Sequence, residues 1–328
     1  MVNGTRVSIT AESEPVAIAK AAAVKAGMAK VKKSPKSLSL GEAIDRYIDS
    51  KDAVLSPSTI AGYRRIRKNA LPELMSVSLS ALTQERIQRA VNNMAKEKSP
   101  KSVRNAHGLI SAVLAEYMPD MVLRTTLPQK RPAKISIPDE EDIAAILQGC
   151  AGTPIELPIL LAMWLGLRAS EIRGLTWECI DGDYLHIRQA IVEGPDGPAV
   201  KGTKTFSGNR KIRVPPYIMQ LIHAQPKKDE YIIHLSGQAM YKAFSRLCER
   251  LGLSHYRFHD LRHASASVAM MLGVPDKYNQ QRMGHKTDNM LKTVYLHTLP
   301  SKEDEFADRV DEYFNKLQTK LQTKNQNP

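Results

Sequence analysis

Several basic and acidic residues stand at spacings that would let their side chains act together on one anion. His259 and Arg262 are three residues apart, so a helix would place both on one face. Arg168 follows an apolar run and precedes Glu171 by three residues, and His285 stands further on, after a glycine. Each pattern alone is weak, because a histidine followed three residues later by a basic residue is expected about once by chance in this composition.

Together these residue types suit chemistry on a phosphodiester. A phosphodiester under attack gains negative charge on its non-bridging oxygens, and guanidinium groups clamp such oxygens with paired hydrogen bonds. Fixed positive charge of this kind does what a metal ion does elsewhere. A tyrosine hydroxyl, with an ordinary pKa of about 10, becomes a nucleophile when a neighbour accepts its proton or cations favour the phenolate. Tyr295 lies ten residues after His285, and Lys204 precedes a predicted turn.

Simpler roles stay open for some of these residues. Arg168 could be a cation that satisfies the dipole at a helix C-terminus. Lys201, Lys204 and Lys211 lie on one predicted hairpin, so any of them could contact phosphate or be solvated. Tyr295 competes with ten other tyrosines, and tyrosine is commonly a half-buried core residue.

The sequence gives no sign of a metal or nucleotide site, so we expect no cofactor. No acidic cluster has the spacing of a two-metal nuclease, and no glycine-rich loop ends in Lys-Ser or Lys-Thr. Glu171 is expected to orient Arg168 rather than to bind a metal. The three cysteines, Cys150, Cys179 and Cys248, form no CxxC pair, which excludes a zinc ribbon.

The composition favours an intracellular protein with a polyanionic partner. The 328 residues carry 47 Lys and Arg against 34 Asp and Glu, a net charge of +13. This balance favours DNA or RNA, while an aromatic content of 5% argues against a stacking platform for single strands. The longest apolar run, residues 157–167, is far shorter than the ~20 residues of a membrane span. With reduced cysteines and no signal-peptide core, we expect a cytoplasmic protein.

The elements that would position the site fall into two regions, as the length of the chain suggests. Residues 37–120 have helical periodicity throughout and predict four short helices in one bundle. The second helix is predicted over residues 58–74. Thr83 should cap the third helix, and Ser99 with Pro100 should begin the fourth.

The second region follows a basic, extended interdomain linker over residues 121–136. Acidic residues from Asp139 favour a helix start, and helices continue to about residue 177. Strands are predicted over residues 184–192, 199–205 and 210–214, separated by turn residues. Beyond Pro216 the pattern is mostly helical. This predicts a second domain over residues 137–318, with an amphipathic last helix over about residues 302–317, and a polar tail over residues 319–328.

The ordered set of residues resembles the tyrosine recombinases, specifically the integrases of phages and integrative elements. The matching pieces are Gly166-Leu167-Arg168-x-x-Glu171, Lys204-Thr205, His259-Asp260-Leu261-Arg262-His263, Gly284-His285 and Tyr295. The resemblance covers about residues 37–318, and Met283 replaces the more usual leucine before Gly284. It implies a mainly α fold with a small antiparallel β-sheet, in which a helical core DNA-binding domain is joined to a mixed α+β catalytic domain.

The resemblance also implies the site residues and their roles. The catalytic residues would be Arg168, Lys204, His259, Arg262, His285 and Tyr295. The two arginines would clamp the phosphate, the tyrosine would attack it, and His259 would act as the base. His285 would donate a hydrogen bond to the phosphate, and Lys204 would protonate the leaving 5′-oxygen. Candidate DNA contacts come from the basic segments of the helical domain and the linker: Arg64, Arg65, Arg67, Lys68, Lys98, Lys101, Arg104, Lys130, Arg131 and Lys134.

The implied function is site-specific recombination for the integration and excision of a mobile element. The chain would cut and rejoin double-stranded DNA at attachment sites through a 3′-phosphotyrosine intermediate. It would work as a homotetramer on two duplexes with a Holliday-junction intermediate, with the two domains clamped around DNA and with possible accessory DNA-bending or excision factors. The last helix would dock on a neighbouring subunit or on its own domain. Residues 1–36 resemble the end of a small arm-binding domain followed by a basic linker, so we expect a truncated or internal start.

Two other functions share these features in part. A type IB topoisomerase would use the same chemistry to relax supercoils without exchanging partners. A non-catalytic DNA-binding regulator could use the same fold, although it would not need Tyr295 or Arg262. The small helical domain and the last helix favour the recombinase.

Overall fold

The computed structural model describes residues 11–25, 37–130, 136–202 and 209–284. The chain divides into two compact units, Met1–Pro132 and Ala133–Pro328. The predicted Lys204 turn and the predicted last helix over residues 302–317 lie outside the described residues. Within the parts that are described, no helix is both long and apolar enough to cross a membrane.

The first unit is helical and packs around one apolar core. Its buried side chains include Leu38, Ile44, Ile60, Ile87 and Ile110. The helices are α1 (Glu14–Lys25), α2 (Leu40–Lys51), α3 (Pro57–Asn69), α4 (Pro72–Met75), α5 (Gln84–Glu97) and α6 (Pro100–Tyr117), with a short 3-10 helix at Leu79–Ala81.

Side-chain caps begin three helices of this unit, α2, α5 and α6. The predicted caps at Thr83 and Ser99 are confirmed: each hydroxyl accepts a hydrogen bond from a backbone N–H in the first turn, of Arg86 and Ser102 respectively. Ser39 caps α2 in the same way and so satisfies a donor that the helix itself leaves free.

The predicted second helix over residues 58–74 was wrong in its extent. Helix α3 ends at Asn69, and the separate turn α4 begins at Pro72. Leu71 precedes that proline and has a left-handed backbone, with φ 49°. A residue before proline is disfavoured in the right-handed helical region, so the chain breaks there. Among the described residues, the bundle therefore contains one more α-helix than the four predicted, besides the 3-10 helix.

The second unit packs helices around an apolar core that is built on α8. The helices are α7 (Glu140–Cys150), α8 (Glu156–Met163), α9 (Ala169–Arg173), α10 (Pro216–His223), α11 (Gly237–Arg250), α12 (Asp260–Met271) and α13 (Asp276–Met283), with a 3-10 helix at Trp177–Cys179. Every residue of α8 is buried, and its sequence after Glu156 is uniformly apolar.

The strands form two separate antiparallel sheets rather than the single sheet expected. They are β1 (Ile180–Asp181), β2 (Tyr184–Ile187), β3 (Gln189–Gly194), β4 (Gly197–Gly202) and β5 (Arg210–Arg213). The order is β1-β2-β5 in one sheet, and β3 pairs with β4 in the other. The predicted strand over residues 184–192 is thus split after Ile187. The predicted Lys204 hairpin was also wrong, because its flanking strands β4 and β5 pair with different partners.

Candidate active site

Arg168 is placed by a tight turn after the buried helix α8. The turn needs Gly166, whose φ of +71° favours glycine. A Cβ at this position would also collide with the sulfur of Met283. Arg168 then has extended backbone and stands immediately before α9. It therefore does not lie at the C-terminal end of its own preceding helix, as the simpler interpretation required.

The Arg168 guanidinium is held by two partners. Its Nη1 donates to Glu171 Oε1 at 2.7 Å, and its Nη2 donates to the carbonyl oxygen of Gly284 at 3.1 Å. The Arg168 backbone N–H also donates to Glu171 Oε2 at 2.9 Å. Glu171 thus orients Arg168, as the spacing of the two residues predicted. About a third of the Arg168 side chain stays exposed, so an anion can reach it.

Arg262 lies on α12 and is almost fully buried, with 2% of its side chain exposed. Its two terminal nitrogens donate to the carbonyl oxygens of Gly166 and Met283. Nη1 also lies 3.9 Å from Glu171 Oε2. Burial, and then the positive charge of Arg168, lower the pKa of Arg262 to about 9, so the group stays protonated near neutral pH.

His259 immediately precedes α12 and is half-buried. Its ring meets the ring of His263 edge to face, with 4.9 Å between ring centroids. Burial, and then the nearby His263 and Arg262, lower the pKa of His259 to about 4. The imidazole is therefore neutral at pH 7, with a ring nitrogen that can accept a proton.

Arg210 on β5 is a member of this cluster that the sequence prediction missed. Its Nη1 and Nη2 donate to the two oxygens of Glu171 at 3.2 and 2.9 Å. Its Nε donates to the carbonyl oxygen of Arg282 at 2.8 Å. The alternation along β5 carries the signal, because Arg210 and Ile212 share the buried face. Arginine on a buried face usually has a specific anionic partner.

Glu171 is the shared counter-ion of the cluster. Burial on its own would raise the pKa of Glu171, but the hydrogen bonds and charge of Arg210, with the charges of Arg168 and Arg262, lower it to about 2. The carboxylate is therefore ionised at neutral pH. One negative charge then faces three guanidinium groups, so these four residues carry a net charge of +2.

The other predicted catalytic residues, Lys204, His285 and Tyr295, lie outside the described residues. Of the alternative lysines, Lys211 pairs with Asp181 at 2.7 Å and lies over the Tyr184 ring, on the opposite face of β5 from Arg210. Lys201 lies on β4. Among the described residues, no group of three or more His, Cys, Asp or Glu side chains could hold a metal ion.

Some of the predicted DNA contacts line a basic groove in the first unit. The groove lies between the end of α5 and the start of α6, and its lining includes Lys98, Lys101, Arg104 and Lys130. Arg104 also donates to the carbonyl oxygen of Pro128 at 2.9 Å, which fixes one wall.

The α3 residues differ among themselves. Arg64, Arg65 and Lys68 are exposed. Arg67 instead donates to both oxygens of Asp45 and to the carbonyl oxygen of Gly41. It therefore ties α3 to α2, and we leave it out of the proposed DNA contacts. Arg131 and Lys134 lie outside the described residues.

Comparison with known proteins places these observations in a family. Residues 138–302 match the phage integrase family. A putative prophage phiRv2 integrase of Mycobacterium tuberculosis is 29% identical over 170 residues, which cover 47% of this chain and 45% of that protein. The chain thus aligns with less than half of the length of this curated relative.

Two solved structures share the fold. The Tn1549 transposon integrase in complex with transposon right end DNA has a TM-score of 0.66 at 18% identity, covering 84% of this chain and all of that one. A lambda integrase tetramer bound to a Holliday junction has a TM-score of 0.61 at 20% identity, covering 85% of this chain and 89% of that one. At these identities the likeness shows the fold alone.

Proposed function

The chain belongs to the phage integrase family, and from this premise we propose that it is a site-specific tyrosine recombinase. It cuts and rejoins double-stranded DNA at attachment sites through a 3′-phosphotyrosine intermediate. In this way it integrates and excises a mobile element.

The observation that carries this proposal is the pair of Arg168 and Arg262 around one counter-ion, with the neutral His259 near both arginines. Two guanidiniums held by Glu171 and by backbone carbonyls are fixed before substrate arrives. Fixed donors with excess positive charge suit the charge that develops on a phosphate in the transition state. A neutral imidazole beside them suits proton transfer.

The proposed reaction balances without a metal or a nucleotide. The phenolic oxygen of Tyr295 attacks phosphorus, and its proton passes to His259. The bond from phosphorus to the 5′-oxygen breaks, and Lys204 gives that oxygen a proton. His285 and the two arginines stabilise the phosphate. Religation reverses these steps with a 5′-hydroxyl as the nucleophile, and the phosphotyrosine bond conserves the energy that this step needs.

We extend the proposal to the assembly. The lambda integrase neighbour is a tetramer bound to a Holliday junction. We assign this chain the same form, a homotetramer on two duplexes that passes through a Holliday junction. Accessory DNA-bending or excision factors would set the direction of recombination, and the protein would act in the cytoplasm.

Covalent trapping tests the proposed function. The substrates are nicked duplexes that tile the DNA on both sides of the gene, so that the short cleaved strand diffuses away. We expect a protein–DNA adduct in excess EDTA and without ATP, because guanidiniums supply the positive charge. Labelled duplexes should also exchange partners. Cleavage that is lost in EDTA and restored by magnesium would contradict the metal-free mechanism, and supercoil relaxation without exchange would indicate a topoisomerase.

The basic groove should contribute affinity rather than chemistry. Each Lys or Arg that contacts phosphate adds about −0.9 to the slope of log K against log salt concentration. Lys98→Ala with Lys101→Ala should therefore weaken DNA binding and flatten that slope by about 1.8, while cleavage of saturated DNA stays near wild type. Arg86→Ala with Arg89→Ala removes the same charge from α5 and should leave the slope unchanged. An unchanged slope in the lysine variant would show that the groove is a solvated surface.

A further inference from the structure

Arg210 is a buried cation for which the proposed chemistry has no role so far. Only 4% of its side chain is exposed, and it stands at the start of β5. Burying a guanidinium is costly unless it is paired and hydrogen-bonded. The burial of Arg210 therefore calls for an explanation in terms of its partners.

The hydrogen-bond acceptors of Arg210 belong to residues of the candidate active site. Both terminal nitrogens donate to Glu171, and Nε donates to the carbonyl oxygen of Arg282. Glu171 in turn holds Arg168. Because these donors already engage protein acceptors, any effect of Arg210 on a bound phosphate would pass through Glu171.

The same contacts fasten the C-terminal end of α13. Three consecutive carbonyl groups, those of Arg282, Met283 and Gly284, each accept a hydrogen bond from a different arginine: Arg210, Arg262 and Arg168. The last carbonyls of a helix have no partner inside the helix and carry a partial negative charge. Arg210 thus completes a set in which the helix end and the two phosphate-clamping arginines fix one another.

We propose that Arg210 is a positioning residue for the recombination chemistry, which holds Glu171 against Arg168 and fastens the end of α13 to the same cluster. The inference rests on the proposed function. Without the Arg210 fork, Glu171 would no longer be fixed against Arg168, and the Arg168 guanidinium would lose its orientation toward the phosphate. DNA affinity, which many other contacts supply, would change little.

The test separates DNA affinity from the rate of cleavage. Arg210→Lys keeps the charge, but an ammonium group cannot reproduce a planar fork that reaches both Glu171 oxygens and the Arg282 carbonyl. With protein saturating on the trapping duplexes, we expect the single-turnover rate to fall on the order of 10- to 100-fold, as for other small misplacements of a reacting group. The Kd should stay within about twofold.

Arg213→Lys is the matched control, because Arg213 lies on the same strand but on the exposed face. It should cleave at the wild-type rate. Arg210→Met is the second variant, and its melting temperature is measured beside that of Arg210→Lys. Full cleavage rates in both Arg210 variants, with only a lower melting temperature, would overturn the inference. So would equal losses of affinity and rate, which would make Arg210 a DNA contact.

A double-mutant cycle tests the route through Glu171. In a Glu171→Gln background, Arg210→Lys should lower the single-turnover cleavage rate by a much smaller factor than it does in the wild type. The reason is that Arg210 acts through Glu171. If the factors by which the two single substitutions lower the rate multiply in the double variant, Arg210 and Glu171 act independently. That result would contradict an effect of Arg210 through Glu171. A wild-type chain that forms no adduct would refute the proposed function together with this inference. A wild-type adduct with undiminished Arg210→Lys cleavage would refute only this inference.

Discussion

Changing Tyr295 to phenylalanine is expected to abolish the covalent protein–DNA adduct and to leave DNA affinity within about twofold. The substitution removes only the phenolic oxygen, which is the atom that would bond to phosphorus. The measurement is denaturing electrophoresis of labelled, nicked duplex after incubation with each protein, beside a binding titration. No partial activity is expected, since water at the same position would give hydrolysis and not an adduct.

Tyr278→Phe provides the control for this prediction. Tyr278 lies on α13 and is exposed, and it has no place in the proposed mechanism. Its variant should form the adduct at the wild-type rate. An adduct that persists in Tyr295→Phe would assign the nucleophile to another residue, which peptide mapping of the adduct would then identify.

Replacing Arg262 should slow cleavage by on the order of a thousandfold, the usual effect of removing one preorganised charge from a phosphoryl-transfer site. Arg262→Lys is the better variant, because alanine would leave Glu171 and the carbonyls of Gly166 and Met283 without this donor. Lysine keeps the charge but loses the two-pronged geometry. The single-turnover rate on saturated DNA is compared with the Kd, which should change little.

Another buried arginine serves as the control for Arg262. Arg173 is also buried and pairs with Glu193 at 2.8 Å, outside the Glu171 cluster. Arg173→Lys should retain most of the cleavage rate. If Arg173→Lys and Arg262→Lys lowered the cleavage rate equally, substitution of any buried arginine in this unit would be enough to slow the reaction. The clamping role of Arg262 would then be wrong.

Local signals in the sequence were sufficient to predict much of the secondary structure. The caps at Thr83 and Ser99 depend only on residues within one helical turn, so their residue types predict them directly. The break between α3 and α4 was also encoded locally by Pro72, although the apolar stripe of the helix concealed it. The order and types of the site residues led to the same family that the comparisons identify.

Contacts between residues far apart in the sequence could not be predicted in this way. Arg210 and Glu171 are 39 residues apart, and nothing near either residue specifies the other. The division into two sheets depends on which strands pair across the chain, and no glycine or proline marks the break after Ile187. Patterns of burial show that a side chain has partners, but they do not identify those partners.

The separate pairing of β4 and β5 bears on how such a chain can vary among relatives. A hairpin fixes the length of its loop, because insertions disturb the register of the paired strands. Here β4 is held by β3 and β5 by β2, so the segment from Gly202 to Arg210 joins two independently registered sheets. Insertions and deletions around Lys204 could therefore accumulate at little cost to either sheet. The length of the segment that carries the lysine could therefore change during evolution, while Arg210 stays beside Glu171.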